Sequence, residues 1–214
     1  MSPAVSHTSA PASAALPAEI RETLFSGAHT THRYTADPVD AATIQQVYED
    51  LRWAPTAMNT QPLRLTVLAG ETARGSVIDH LSESNRDKTR AAPLTVVAAF
   101  DPAWHEHMET LAPHRAGMRE SFADPARSEA RLELGRFNGL LQLGYLILGL
   151  RAHGLQVGPM TGLDADGVDS AVHSETGWRT LAVLNVGHAP DPEDPQAQRP
   201  RAGRLEFSQA AQVL

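Results

Sequence analysis

The segment PTAMNTQP, Pro55 to Pro62, places Thr56, Asn59, Thr60 and Gln61 in a Pro-initiated turn between a periodic helix and an alternating strand. Hydroxyls and amides that both donate and accept hydrogen bonds pack a core poorly and hold a planar heterocycle well. A second polar set, Asn85 and Lys88, precedes Ala92-Pro93; taken alone it reads as a solvated loop. Further on, Gly158-Pro159-Met160-Thr161-Gly162 reads as a rigid turn, and Arg201 and Arg204 stand in a Pro- and charge-rich tail. His105, His107 and His114 do not form a metal site: i, i+2 spacing puts the first two on different helix faces, and no HExxH pattern occurs.

Several elements must position these residues. Pro17 opens a helix through Ala28, with Leu16, Ile20, Leu24 and Phe25 expected on the core. From Val39 to Trp53 a second helix carries the stripe Ile44, Val47, Tyr48, Leu51, and Tyr48 and Trp53 are expected in the core. Leu63 to Leu68 alternates as a strand, and Leu94 to Phe100 is an apolar, β-branched run expected at the centre of a sheet. Glu71 to Leu81 predicts a helix, and the polar stretch from Ser82 to Pro93 predicts a loop. The region from Arg127 to His153 predicts a long helix whose stretch Phe137–Leu150 carries no charge. That stretch is too short for a membrane span, which needs roughly 20 apolar residues. Gly139, Gly144 and Gly149 within it predict close approach of another backbone, with a subunit interface the natural candidate. Gly154 ends that helix, and Leu181 to Val186 predicts a third strand. The long helix stands apart from the strands, which favours an α+β fold: a central mixed sheet flanked by helices.

A chain of 214 residues, 42% of them hydrophobic, suits one domain, expected over 17–214, after a tail over 1–16 that lacks the cationic start and apolar run of a signal peptide. A net charge of -7 gives no basic field for nucleic acid or anionic lipid. Having no cysteine, the chain forms no disulfide, thiolate nucleophile or Cys-based metal site, which fits a cytoplasmic setting. Neither GxGxxG nor a Walker loop occurs.

In their order, PTAMNTQP, Asn85 with Lys88 before Ala92-Pro93, GPMTG and the tail Arg201–Arg204 resemble the nitroreductase-like flavoproteins over nearly the whole chain, from Ala28 to Leu205. SxxNxxKTxAAP, FDPAW, LxxGPMTGxD and Asn138 with Gln142 and Tyr145 are similar to the branch containing malonic semialdehyde reductases of pyrimidine catabolism. The resemblance implies an intertwined homodimer with one FMN per subunit at the interface. Asn85 and Lys88 would face the pyrimidine edge of the flavin, where the Lys88 cation favours the reduced anion. Met160, Thr161 and Gly162 would lie near N5, Thr161 and Gly162 through their backbone. Pro55, Thr56, Ala57 and Asn59 would close over the flavin from the partner, and Arg201 and Arg204 would reach the phosphate.

One segment departs from that pattern. Where the family carries arginine or lysine for the phosphate, this chain has Ala28, His29, Thr30, Thr31 and His32, with Arg33 one place further on. The implied activity is ping-pong hydride transfer from NADH or NADPH to a small organic acceptor, malonic semialdehyde or a nitro, quinone or enone compound, or the reverse oxidation of a secondary metabolite. The different-class alternative is a non-enzymatic flavin- or partner-binding protein with an eroded phosphate site. Arg115, Arg119 and Arg136 are candidate anchors for an acceptor carboxylate, and equally surface charges. The segment around Trp104 and Met108, facing inward, is expected to cover the acceptor pocket.

Overall fold

The computed structural model describes residues 15–191 and 200–214. The tail expected over 1–16 lies almost wholly outside them, as does 192–199 of the segment before Arg204. Strands β1 (Leu63–Leu68), β2 (Leu94–Phe100), β3 (Gln156–Met160) and β4 (Arg179–Gly187) form one sheet in the order β1-β2-β4-β3. All three pairings are antiparallel, with Leu63 opposite Phe100, Leu94 opposite Val186 and Met160 opposite Val183. The α+β class is as expected; the parallel pairing of a mixed sheet would have to come from a strand outside these four. β2 is central and buried at every position, as its unbroken apolar run predicts for a strand covered on both faces.

Alternation along β2 and β4 sorts the sheet's two faces. Val96, Ala98, Leu184 and Val186 join the core built with α2 (Ala41–Leu51) and α7 (Ser128–Ala152). On the other face Val97 and Val183 meet Leu68, Val77 of α3 (Glu71–Ile78) and Val168 of α8 (Ala165–Val172). α2 buries Ile44, Val47 and Leu51 and is capped by Asp40, whose carboxylate accepts from Ala42 N at 2.9 Å. A third cluster is built by the 3-10 turn Trp104–His107, α5 (Met108–Leu111) and α6 (Met118–Ala123), with Trp104 and Met108 buried as expected. α9 (Phe207–Ala210) ends the chain on the surface.

Five expectations need correction. The polar stretch after Ser82 is not a loop but α4 (Glu83–Ala91). It has no apolar stripe to reveal it; Glu83 in its first turn and Lys88 and Arg90 in its last complement the helix dipole, and Asp87 pairs with Arg90 at 2.7 Å. Gly158 to Met160 is not a turn but half of β3, an edge strand, where Pro159 is tolerated because a missing N–H breaks no central ladder. The Pro17 helix does not lie on the core. It forms α1 (Ala18–Arg21) and one π turn, Glu22–Ser26, that leave Leu16, Ile20 and Phe25 exposed, with Leu24 O accepting from Arg151 at 3.0 Å. Trp53 is 70% exposed, because α2 stops at Leu51 and the chain turns off its buried face, and Tyr48 lies at that face's rim. Finally, two of the three α7 glycines serve packing within the chain. A Cβ at Gly139 would meet Phe100 Cβ and Leu181 Cδ1 at 2.9 Å, and one at Gly149 would meet Val47 Cγ1 at 3.0 Å; only Gly144 faces open space.

Candidate functional site

α4 and β3 converge on a small cleft of about 70 Å3 lined by Thr30, His32, Asn85, Lys88, Met160 and Asn185. The polar helix turns Asn85 and Lys88 to this side, one turn apart, while burying only Thr89. Gly162 O fixes the helix start, accepting from Ser82 N at 2.9 Å and from Asn85 Nδ2 at 3.3 Å. Thr161 and Gly162 therefore sit beside Asn85, at the end of β3, with exposed backbone. The first histidine segment runs along the β3 edge, with Thr31 N donating to Val157 O at 3.3 Å and Thr31 Oγ1 to Gln156 Oε1 at 3.1 Å. Adding a Cβ at Gly158 would bring it to 2.6 Å from Thr31 O, so only glycine lets that segment lie so close to the strand.

His29 meets Arg201: the guanidinium Nη2 donates to His29 Nε2 at 2.7 Å and to Ala28 O at 3.4 Å. A guanidinium only donates, so His29 Nε2 is the acceptor, and Arg201 brings a fixed positive charge to this point. Arg204 folds onto its own segment, donating to Ala202 O and Gly203 O. Behind the cleft, burial pushes the Tyr34 phenol above its ordinary value, and its hydroxyl donates to Asn185 O at 2.9 Å.

The Pro55–Pro62 segment stands elsewhere, fastened to α7. Asn138 Oδ1 accepts from Ala57 N at 2.8 Å, Gln142 Oε1 from Leu63 N at 3.0 Å, and the Tyr145 hydroxyl donates to Pro55 O at 3.2 Å. Asn59 donates to Leu111 O at 2.7 Å and accepts from Gln61 Nε2 at 2.7 Å. Met58, Asn59 and Gln61 all have positive φ, of 58°, 56° and 40°, a conformation that side chains other than Asn and Asp rarely adopt without external support. Asn138, Gln142 and Tyr145 therefore hold this loop and the start of β1 in place.

Within one chain the two clusters lie on opposite faces of the sheet. The loop is bound to α7 on the face of Val96 and Leu184; α4 lies on the face of Val97 and Val183. One chain does not bring Pro55, Thr56, Ala57 and Asn59 to Lys88. Beside the loop, β1 and α2 line a cavity of about 630 Å3 with Ile44, Tyr48, Leu63, Leu65, Leu111 and Trp178, and His107 stands at its wall. The helical segment after Trp104 contributes His107, Thr110 and Leu111 to its lining. Arg64 at its margin is engaged with Asp101 at 2.8 Å, and Arg119 with Glu109 at 3.1 Å. Among the described residues no cluster fit for a metal ion is present.

One buried network was not anticipated from sequence. Asn185 Oδ1 accepts from Thr95 Oγ1 at 3.1 Å, and its Nδ2 donates to Thr89 Oγ1 at 3.1 Å. The signal available was a lone amide in the otherwise apolar run LAVLNV.

Residues 26–188 match the nitroreductase family. A protein of Leptothrix cholodnii, provisionally named NADH dehydrogenase/NAD(P)H nitroreductase, is 45% identical over 192 residues, covering 89% of this chain and 94% of its own. A Streptomyces coelicolor protein of the same provisional name is 41% identical over 178 residues, covering 83% and 87%. The structure of a provisionally named nitroreductase from Exiguobacterium sibiricum, in complex with FMN, superposes with a TM-score of 0.77 over 94% of this chain and 100% of that one, at 19% identity. With the profile spanning most of its length and relatives this similar along nearly all of it, the chain belongs to the nitroreductase family.

Proposed function

We propose that the protein is an FMN-dependent NAD(P)H oxidoreductase that acts as a homodimer. The observation that carries the reading is the cleft between α4 and β3, where an ammonium, a side-chain amide and exposed strand-end backbone converge. This donor set fits an anion-forming planar ring, and the Arg201–His29 pair fits a phosphate. Lys88 and Asn85 would hold the pyrimidine edge, Thr161 and Gly162 the ring by their backbone, and Arg201 with Thr30 and His32 the phosphate. FMN bound there would accept hydride from NADH or NADPH and pass it to an acceptor. The protein's part is to orient: the Lys88 cation favours negative charge at the ring edge, and the rigid loop sets how close an acceptor stacks.

Two observations support the dimer. The Pro55 loop and the Lys88 cleft occupy opposite faces, so a site using both draws on two chains. In addition, α7 exposes Phe137, Leu140 and Leu141 around the open Gly144. The names of the relatives, NADH dehydrogenase/NAD(P)H nitroreductase, favour a nitro acceptor. Malonic semialdehyde, reduced to 3-hydroxypropionate, is the acceptor implied by the branch resemblance. The test is the visible spectrum of the purified protein after incubation with FMN and removal of free flavin, followed by NAD(P)H oxidation with both acceptor classes. A retained flavin band with acceptor-dependent turnover is expected. A colourless protein overturns the reading, and a flavin band without turnover leaves a binding protein.

A further inference from the structure

We infer that Asn185 is a positioning residue whose side-chain amide fixes the seating of α4, and with it Asn85 and Lys88, against the sheet. Its relevance to catalysis rests on the FMN reading above; the seating itself does not. The argument begins with what α4 lacks. It buries a single side chain, Thr89, so no apolar stripe sets its rotation about its own axis. Its first turn is tied to Gly162 O, and Arg86 ties it to Leu81 O and Asp79 O in the turn before it. α4 meets the sheet strands through Thr89, whose hydroxyl accepts from Asn185 Nδ2 at 3.1 Å and lies 3.9 Å from Met160 Sδ.

That contact is fully specified. Asn185 is 2% exposed, and Thr89 and Thr95 are 0% exposed. The Thr95 hydroxyl donates to Oδ1, and Nδ2 donates to the Thr89 hydroxyl, which in turn donates to Asn85 O at 3.1 Å. Met160 Sδ, 3.8 Å from Nδ2 and 3.9 Å from Thr89 Oγ1, closes the remaining side. Direction thus passes from β4 into the helix turn that bears Asn85 and Lys88. In a buried site each of these polar atoms has a strong preference for its one partner, because an unmade hydrogen bond there is costly.

Two substitutions on the same amide separate positioning from general stability. Asn185→Leu removes the link to α4; Thr95→Val removes the other hydrogen bond and leaves that link in place. In the full chain without ligand, hydrogen exchange of the amides in 86–91 is expected to accelerate about tenfold or more in Asn185→Leu and to stay near wild type in Thr95→Val. In the FMN-loaded dimer, Asn185→Leu is expected to weaken reduced FMN about tenfold more than oxidised FMN, a fall of about 30 mV in midpoint potential for a two-electron couple. Thr95→Val should leave the potential unchanged. Should Asn185→Leu fail to fold, Thr89→Val cuts the same link from the helix side and must give the same two readouts. Unchanged exchange in α4, or equal effects from Thr95→Val, overturns the inference. Faster exchange in a protein whose wild type retains no flavin upholds the seating and sinks the FMN reading instead.

Discussion

Lys88 stands half-buried at the mouth of a cleft, next in sequence to a fully buried threonine. A cation in that place favours whatever negative charge forms beside it, and does so more strongly once the charge is complete. Lys88→Ala is therefore expected to weaken FMN binding about tenfold, within the range for hydrogen bonds to charged groups, and to slow flavin reduction in the saturated variant as well. Stopped-flow reduction by NADPH checks this, and unchanged rates at saturation would remove Lys88 from the chemistry. The residue types at this site were legible in the sequence, but their relations were not. Nothing in the order of residues says that Arg201 meets His29 across 172 positions, or that the ring nitrogen accepts a hydrogen bond from the guanidinium.

Among the elements, the 3-10 turn Trp104–His107 has a built-in sensitivity to acid. His105 is 6% exposed, its ring stands edge-on to Trp104 at 6.2 Å, and its Nδ1 is buried with no hydrogen-bond partner. Burial pushes its titration below the ordinary imidazole value, with Arg131 and Arg119 adding to the shift and Glu106 and Asp101 opposing it. The unfolded chain takes up this proton first as pH falls. The contribution to stability is thus complete above about pH 6.5 and is lost below it, toward the lowered native value. Melting temperature followed from pH 7.5 to 5 should fall less steeply in His105→Gln than in the wild type; parallel curves would show that other groups set the slope. α2 with its periodic apolar face, α7 with its long charge-free run, and the apolar strands β1, β2 and β4 were read correctly because each is marked by an apolar stripe or run. α4 and β3 were not, since a helix held by hydrogen bonds and dipole-matched charges has no stripe, and Gly-Pro reads as a turn unless its place at a sheet edge is known.

For the molecule as a whole, the single-chain core and the outward face of α7 make separable predictions. Leu146 is 0% exposed within the chain, packed in the cluster of α2, α7 and the sheet, so Leu146→Arg buries an unpaired charge. It should unfold the chain itself, at a cost of about 4 kcal/mol or more, and is no probe of assembly. Gly144 opens to solvent among Leu140 and Leu141. Gly144→Leu is expected to leave the far-ultraviolet dichroism intact while shifting the sedimentation coefficient from dimer to monomer. A stable Gly144→Leu dimer would place the interface elsewhere. From sequence these two positions looked alike, since both lie in one charge-free run; only the sheet underneath tells the inward side from the outward one.

The shape of the Pro55–Pro62 loop also bears on the speed of recognition. Three residues of positive φ and hydrogen bonds from outside the loop, at Pro55 O, Ala57 N, Asn59 Nδ2 and Pro62 O, hold it in one conformation. Ordering a residue's backbone costs roughly 1–2 kcal/mol, and here that loss of freedom is incurred when the protein folds and not when a small molecule arrives. Association with this surface should therefore be governed by diffusion and desolvation, with no slow phase from a loop searching for its bound form.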